Sequence, residues 1–330
     1  MNTIAPAAER GRFTLTGPVL QNLLVRNAMV LVLVVVICYF TYRSARFATL
    51  DNVTTILIAA APFALVALGQ TLVILTGGID LSVGSVIAVS AMTAASVAVA
   101  NPESLWLAPV AALAVGLVCG LVNGLVISLL KVPPFVATLG MLTAASGAAY
   151  VIGNGAPING VPAAYGDFAN TSFLGLTVPV ITMIVGFAAI WFMLTRTTFG
   201  LRIYAVGGNP TAASLAGVRT NWTLIRVYAI SGALAGVSGL MISSRVISGS
   251  PTLGNGYELD AIAAVVIGGA SLFGGRGTVW GTLLGLLLIQ TLNNGLDILV
   301  IPAYWQSIIK GALIIAAVGI DVWATRRAKS

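Results

Sequence analysis

The sequence predicts an all-α polytopic membrane protein with about ten transmembrane helices. Of its 330 residues, 58% are hydrophobic and only 8% are charged, and the apolar residues form long runs. Soluble proteins carry about 25% charged residues, whereas a transmembrane helix needs about 20 apolar residues. This composition excludes a water-soluble globule. It also leaves no room for a nucleic-acid-binding domain, despite a net charge of +7.

Apolar stretches bounded by Gly, Pro or charge clusters predict one transmembrane domain, residues 27–323, between tails at 1–26 and 324–330. The first run resembles a signal peptide, but no small-residue cleavage site follows it, so we interpret it as an uncleaved span. The predicted helices are 27–42, 53–76, 82–100, 106–130, 134–152, 176–195, 220–243, 257–273, 278–298 and 303–323.

The distribution of Lys and Arg predicts the orientation of these spans. If the N-terminus is cytoplasmic, most of the basic residues lie inside, as the positive-inside rule requires. Both termini are therefore expected in the cytoplasm, with only Arg43, Arg46 and Arg245 outside and Lys310 within the last span. The basic residues placed inside are Arg10, Arg12, Arg26, Lys131, Arg196, Arg202, Arg219, Arg226, Arg276, Arg326, Arg327 and Lys329.

A short internal repeat suggests two halves of five helices in inverted orientation. Asn123-Gly124-Leu125, near the end of the fourth predicted helix, recurs as Asn294-Gly295-Leu296 near the end of the ninth. The offset is 171 residues, about half the chain. The alternative is that Asn-Gly simply ends helices. Asn123 and Asn294 are candidate pore or gate residues.

The segment Gly77-Gly78-Ile79-Asp80-Leu81-Ser82 interrupts an apolar stretch of nearly fifty residues. Paired glycines end one helix, and Asp80 or Ser82 can cap the next. A carboxylate next to apolar sequence is costly unless it is capped, paired or hydrated. Two interpretations stay open: a helix cap on the cytoplasmic side, or a break that lines or gates the inner mouth of a pore.

The longest predicted cytoplasmic loop, residues 196–220, contains a short helix of its own. Asn209 suits the N-cap, Pro210 the first helical position and Gly217 the position after the C-cap. Gly207 and Gly208 allow a sharp entry turn, and the exposed surface is expected to be Ala212, Ala213, Leu215 and Ala216. Two turns are poorly stable alone, so this helix is expected to dock into a partner.

Three ionisable residues lie at or near bilayer depth: Asp260, Asp297 and Lys310. Such groups should face protein or water and preferably pair. Lys310 lies about 10 Å into the last predicted helix, so we expect an intramembrane ion pair with Asp297. The alternative is a proton or substrate path.

The sequence lacks the residues for catalysis of its own. It contains no His, and Cys38 and Cys119 lie in apolar runs, so disulfides, zinc sites and His-based catalysis have no material. No Gly-x-x-x-x-Gly-Lys-Ser/Thr motif occurs. Gly274, Gly275 and Arg276 are instead predicted to form a tight cytoplasmic turn. We therefore expect no enzyme activity, metal or cofactor in this chain.

Three motifs together carry a family resemblance: GGIDLSVGS at 77–85, TTFGLRIYAVGGNPTAASLAGV at 197–218 and IGGASLFGGRGT at 267–278. With these motifs the sequence resembles the permease subunits of ribose, xylose and galactose-type ABC importers, in the branched-chain amino acid and sugar permease superfamily. The resemblance covers nearly the whole chain beyond the N-terminal tail. It implies a type II ABC importer-like permease fold and a multi-pass location in the bacterial inner membrane.

The resemblance also implies partners. The short loop helix, about 209–217, would be the coupling helix of a cytosolic ABC ATPase, which holds the ATP and magnesium. A second permease copy or a paralogue would complete the pore, and a periplasmic solute-binding protein would dock on outer loops at 153–175 and 248–258. The candidate coupling residues are Thr198, Gly200, Gly207, Gly208, Asn209, Pro210, Ala212, Ala213, Leu215 and Gly217.

The resulting functional hypothesis is a pore-forming permease subunit for a monosaccharide or similar neutral polar solute, powered by a separate ATPase. A sugar alcohol, a nucleoside and a furanosyl signalling molecule are alternatives within the same class. An ion-coupled secondary transporter that uses Asp80, Asp260 or Asp297 is the alternative from another class. A membrane-embedded enzyme is rejected because no span carries a clustered nucleophile and base.

Overall fold

The computed structural model describes residues 28–327, and these residues form a helical bundle. The predicted tail at 1–26 and the last residues, 328–330, lie outside the described part, as do Arg10, Arg12, Arg26 and Lys329. The first helices are α1 (Ala28–Arg43), α2 (Leu50–Leu75), α3 (Val83–Ala100), α4 (Leu107–Leu129), α5 (Pro134–Ile152), α6 (Asp167–Asn170) and α7 (Val178–Arg196). The remaining helices are α8 (Thr198–Gly208), α9 (Pro210–Leu215), α10 (Thr220–Val246), α11 (Tyr257–Ile267), α12 (Val279–Ile298) and α13 (Ala303–Arg327).

Each of the ten predicted spans overlaps one long helix or, for 257–273, the shorter α11. Six helices, α2, α3, α4, α5, α7 and α10, are long and apolar enough to cross a membrane within the described residues. The structure thus supports an all-α polytopic protein, and the count of ten spans stays a prediction. α11 differs most from its prediction, because 11 residues extend only about 16 Å.

The centre of the bundle is the pair α2 and α10, which pack against each other. Helix α3 packs against α10. α10 also packs along α4. Gly116 and Gly120 of α4 face Gly232 and Gly236 of α10 so closely that a Cβ atom on any of them would collide with the opposite backbone. These glycines therefore allow the two helices to approach backbone to backbone.

The bundle has two ends, which we name by the short helices. The proximal face is the end that carries α8 and α9, where α2, α4 and α7 end and α10 begins. The distal face is the opposite end, where α2 and α13 begin and α10 and α12 end.

The distal segment between α5 and α7 is more ordered than a surface loop. It contains a 3₁₀ turn (Ala163–Gly166), α6 and a two-stranded antiparallel hairpin, β1 (Ser172–Phe173) with β2 (Leu176–Thr177). The buried Tyr165 lies within 2.6 Å of the Ser243 hydroxyl, and the Ser244 hydroxyl donates to the Tyr165 carbonyl at 2.7 Å. These bonds fix the segment on the distal end of α10.

The second distal segment, residues 247–256, is not the outer surface loop that the sequence predicts. Gly249 packs against Ala91 and Ala95 of α3, and Gly254 lies against the carbonyl of Gly84 in the first turn of the same helix. The segment therefore descends into the bundle along α3. Only then does α11 begin, which explains why that helix is half as long as a span.

Candidate coupling and gating site

The predicted helix in the 196–220 loop is confirmed as α9. The Asn209 side chain accepts a hydrogen bond from the Ala212 N–H at 2.9 Å, and Pro210 is the first helical residue. Gly217 has φ +83°, its N–H bonds the Ser214 carbonyl, and the next N–H bonds the Ala213 carbonyl. These two hydrogen bonds form a Schellman motif, which requires a residue that tolerates positive φ.

The sequence analysis missed α8, the helix that precedes α9 in the same loop. Thr197 caps it by accepting from the Gly200 N–H at 3.3 Å, and Thr198 is its first residue. Gly200 sits where a Cβ atom would strike the carbonyl of Leu194, so it permits the tight turn from α7. Gly208 is the last residue of α8 and has open space around it.

Gly207 has a different role from the sharp entry turn that the sequence predicts. It lies inside α8, and the side on which a Cβ atom would lie faces the carbonyl of Leu75, at the end of α2, and the N–H of Gly275. Any Cβ atom at position 207 would overlap both groups. Gly207 is thus required for the close approach of three backbones, not for chain reversal.

These contacts join the loop helices to two other proximal segments, an arrangement that we call the proximal junction (Leu75–Gly78, Thr198–Gly208 and Gly274–Gly277). The Gly275 N–H donates to the Leu75 carbonyl at 3.0 Å, and Gly77 packs against Gly274. The Tyr204 hydroxyl donates to the Gly277 carbonyl at 2.9 Å. Partial burial raises the pKa of the Tyr204 phenol, which keeps this donor protonated.

The segment predicted to form a tight cytoplasmic turn, residues 274–277, lies within this junction. Gly274, Gly275 and Gly277 all have positive φ, and the Ser271 N–H bonds the Arg276 carbonyl at 2.9 Å. Arg276 is exposed. In the described part of the chain no group of three or more His, Cys, Asp or Glu residues could hold a metal ion.

The surface that α9 presents differs in one residue from the prediction. Leu215 is 86% exposed, and Ala212 and Ala216 are also exposed. Ala213, predicted to be exposed, is buried. Its side chain faces the rest of the protein because α9 packs back onto α8. Leu215 is therefore the most exposed apolar side chain of α9.

The break between α2 and α3 contains the buried Asp80, and its carboxylate is fully engaged. Oδ1 accepts from the Ser82 N–H at 2.9 Å and from the Ser82 hydroxyl at 2.6 Å, while Oδ2 accepts from the Ser231 hydroxyl at 3.2 Å. The Asn123 amide donates to the Ser82 hydroxyl oxygen at 2.9 Å. Asp80 thus holds Ser82, the N-cap residue of α3, and ties it to α10, while Ser82 ties the break to α4. The predicted side-chain cap of α3 is absent, since Ser82 makes no cap hydrogen bond to the helix.

The non-helical backbone of the break finds hydrogen-bond partners on two further helices, α2 and α5. With its amide oriented so that both ends find partners, Gln70 of α2 donates to the Asp80 carbonyl at 3.2 Å and accepts from the Asp80 N–H at 3.3 Å. The Thr138 hydroxyl of α5 lies 3.2 Å from the Ile79 carbonyl. Irregular backbone within a membrane bundle requires such partners. The break is therefore held by four helices at once.

The sequence analysis missed Gln70, Thr138, Ser231 and Tyr228 as members of this site. All four are buried, and the Tyr228 hydroxyl lies against the α-carbon of Gly78 with no hydrogen-bond partner in the described structure. The available signal was the presence of single polar side chains inside apolar spans, which usually face the protein interior. That signal shows burial, but it does not show which helices meet.

The two Asn-Gly-Leu motifs occupy different surroundings. Asn123 belongs to the Asp80 cluster, whereas Asn294 forms a reciprocal pair with Asn52, in which each amide donates to the other's oxygen at 2.9 Å. Gly124 packs on Ile225 of α10 and Gly295 on Phe40 of α1. The structure therefore does not bring Asn294 to the break.

The expected ion pair between Asp297 and Lys310 is wrong. Lys310 Nζ lies 2.9 Å from Asp260 Oδ2 instead, because α13 packs against α11. Asp297 accepts from the Gln306 amide at 2.8 Å, near the start of α13.

Comparison with known proteins identifies the family. Residues 52–318 match the family described as branched-chain amino acid transport system / permease component. A ribose import permease protein of Bacillus subtilis is 43% identical over 276 residues, which are 82% of this chain and 84% of the relative. A galactose/methyl galactoside import permease protein of Escherichia coli is 37% identical over 310 residues, 88% of this chain and 92% of the relative.

A D-allose transport system permease protein of Escherichia coli is 35% identical over 291 residues, 88% of this chain and 89% of the relative. No solved structure matches the chain. The family match covers most of the sequence and includes the proximal junction, the α2–α3 break and both Asn-Gly-Leu motifs. The chain therefore belongs to the permease-component family of ABC transporters, whose members are multi-pass transport subunits without a catalytic site of their own.

Proposed function

We propose that this chain forms the translocation pore of an ATP-driven importer for a monosaccharide or a similar neutral polar solute. The proximal junction is the observation that carries the proposal. α8 and α9 form a two-helix projection whose exposed tip is Leu215 and whose base contacts Leu75 and Gly275. A separate ATPase that binds the tip would pull directly on the end of α2.

A movement of the end of α2 would be transmitted to the α2–α3 break. Leu75 and Gly77 lie in the junction, and Asp80 lies five residues beyond Leu75. Asp80 accepts from Ser231 of α10 and from Ser82, whose hydroxyl oxygen in turn accepts from Asn123 of α4. Since the break touches four helices, a displacement at the junction would be transmitted to the pore-forming bundle. Gly77, Gly78, Asp80 and Ser82 act in this proposal as hinge and gate rather than as a cap alone.

The partners follow from the family and from the two faces. The proximal face would bind a cytosolic ABC ATPase, which supplies the ATP and magnesium sites, and the distal face would receive solute from a periplasmic binding protein. The basic residues Arg196, Arg202, Arg219 and Arg226 lie at the proximal face, which supports a cytoplasmic location of that face. The protein would lie in the bacterial inner membrane, with a single transmembrane domain over 27–323 and both termini in the cytoplasm.

The helix contacts support an inverted repeat of type II importer form. α10 packs on α3 and α4 as α2 packs on α11 and α12, and α3 packs on α5 as α11 packs on α13. The motif offset of 171 residues relates Gly84 to Asn255, and Gly84 lies against Gly254. Contact between equivalent positions is expected on a pseudo-twofold axis. The first helices depart from the repeat, since α1 packs on α12 whereas α7 packs on α2.

A second permease copy, identical or paralogous, would cover α5. This helix is the least buried of the six candidate spans. Its exposed side includes Gly140, Thr143, Ala144 and Gly147, and nothing lies within 4 Å of a Cβ atom placed on either glycine. Small residues on an open transmembrane face are typical of close helix contacts between subunits.

The solute class comes from the relatives, which import ribose, D-allose and galactose. A sugar alcohol, a nucleoside and a furanosyl compound have the same neutral, hydroxyl-rich chemistry. The charged groups at depth agree with a neutral cargo, because Asp260 is paired with Lys310. Asp80 accepts three hydrogen bonds, so each of these two carboxylates has partners within the protein.

Uptake into proteoliposomes tests the proposal. The complete importer, with ATPase subunit and binding protein, should accumulate radiolabelled ribose only when ATP is present, and ribose should accumulate beyond its outside concentration. Uptake by this chain alone under a proton or sodium gradient would refute the proposal in favour of ion coupling. The Leu215→Arg variant in the same vesicles provides a negative control that retains the pore.

A further inference from the structure

The distal half of the bundle contains a large open cavity that the coupling and gating site does not use. It lies between α2, α10, α11, α12 and α13 and has a volume of about 770 Å³. This volume lies within the range of about 300–1,000 Å³ that small-molecule sites occupy. We refer to it as the distal cavity.

Two amides of α12 line the distal cavity without partners of their own. No side-chain hydrogen bond of Gln290 or Asn293 occurs among the described residues, and Asn293 Oδ1 is buried. An unpaired buried amide loses its hydrogen bonds to water without replacement. The Asn293 oxygen is such a group, and the half-buried Gln290 amide lies on the same helix wall, which indicates that a ligand or water normally completes them.

The opposite wall holds the Asp260–Lys310 ion pair. Both side chains are only partly exposed, at 20% and 25%, and both line the cavity. Their mutual contact uses one carboxylate oxygen and one ammonium hydrogen, so acceptor and donor capacity remains. Such a pair offers both kinds of hydrogen bond in one place without a net charge. A group that can donate and accept, such as a hydroxyl, matches it.

The α2 side of the cavity is apolar and partly aromatic. Phe63 lines it and packs edge-to-face on Tyr257, with ring centroids 5.6 Å apart. Ile58 also lines it, and Pro62 has no N–H to donate to the Ile58 carbonyl. The cavity thus combines an apolar face with polar groups on the other sides, which suits the apolar and hydroxyl-bearing faces of a sugar ring.

We propose that the distal cavity binds one monosaccharide-sized, neutral polyhydroxyl solute within a single permease chain. Gln290, Asn293 and the Asp260–Lys310 pair bond its hydroxyls, and Ile58 contacts its apolar face. This inference rests on the proposed function as a sugar permease. It adds that each chain holds its own solute site on the distal side, before the α2–α3 break.

A thiol-protection experiment tests the site directly. Ser307, an exposed residue of the cavity wall, is replaced by Cys in a chain that also carries Cys38→Ser and Cys119→Ala. The permease is reconstituted with its ATPase subunit and labelled with a maleimide. Millimolar ribose without ATP or binding protein should slow labelling by about threefold or more. The matched control is Ser172→Cys in the distal hairpin, whose labelling rate ribose should leave unchanged.

A second variant links the protection to the amides. Asn293→Leu should abolish protection of the Cys at position 307, whereas Asp297→Asn, whose side chain bonds Gln306 and does not line the cavity, should retain it. Unchanged labelling at position 307 with ribose would overturn the inference. So would protection by gluconate but not by ribose, since that would indicate an anion site at Arg245.

Failure of the solute site and failure of the proposed function give different combinations of labelling and uptake results. If ribose uptake is strictly ATP-dependent but ribose gives no protection, the importer assignment stands and the site in the distal cavity is wrong. If uptake follows an ion gradient, the importer assignment fails regardless of the labelling result. Protection together with ATP-dependent uptake supports both.

Discussion

The Asp80 carboxylate accepts a hydrogen bond from the Ser231 hydroxyl at 3.2 Å, between the α2–α3 break and the interior of α10. Both residues are buried. Since α2 and α10 are the central helices of the bundle, this bond joins the break that follows one to the body of the other. A carboxylate in such a position has few alternatives to its present partners.

Replacing Asp80 by Ala should destabilise the protein and stop transport. The change leaves the Ser82 N–H and two hydroxyls without their acceptor, and each unsatisfied buried group costs about 1–3 kcal/mol. Asp80→Asn keeps Oδ1 as an acceptor for Ser82, so it should lose less stability. The melting temperature of the purified protein and the rate of ATP-dependent uptake measure the two effects.

Asp51→Ala is the matched control for Asp80, since Asp51 is an exposed acid in the first turn of α2. Its loss should change the melting temperature little, because only a weak helix-dipole interaction disappears. A similar loss of stability in both Ala variants would show that Asp80 is not specially engaged.

Gly207→Ala should uncouple ATP hydrolysis from transport or prevent assembly of the junction. The added methyl group overlaps the Leu75 carbonyl and the Gly275 N–H, so three backbones must separate. Gly208→Ala has open space and should be neutral or slightly stabilising, since Ala favours the helix. The ratio of solute imported to ATP hydrolysed separates the two variants. Equal ratios would remove the junction from the coupling path.

Leu215→Arg should prevent binding of the ATPase subunit while the chain still folds. Leu215 is 86% exposed on α9, so the new charge meets solvent in the free chain but an apolar cleft in the complex. The expected result is loss of co-purification of the ATPase. Leu174→Arg, at an 88% exposed residue of the distal hairpin, adds the same charge to the other face and should leave co-purification intact.

Most of the helical architecture could be predicted from the sequence, because lipid requires long apolar runs and the runs mark the helices. The capping signals of α9 were equally local: Asn209, Pro210 and Gly217 each act within one turn. α8 was missed because Gly207 was interpreted as a turn residue, while its actual constraint is the carbonyl of Leu75. That contact joins residues far apart in the chain.

The same limit applies to the polar site. The sequence marks Asp80 as unusual, but Ser231 and Gln70 become its partners only through the packing of α2 and α10. Asp297 is also nearer to Lys310 in the sequence than Asp260 is, yet α13 packs against α11 and Lys310 pairs with Asp260. Local chemistry is readable from the chain, and helix pairing is not.

Gly147→Leu should reduce association with the second permease copy. A Leu side chain on a lipid-facing position is harmless, but on a close helix contact it forces the two backbones apart. Ala189→Leu on the exposed side of α7 adds similar bulk elsewhere and should not alter assembly. Native mass spectrometry of the detergent-solubilised importer counts the permease chains per complex. If Gly147→Leu complexes retain two copies while Ala189→Leu complexes contain one, then α7 rather than α5 forms the interface, because added bulk breaks only the contact that it enters.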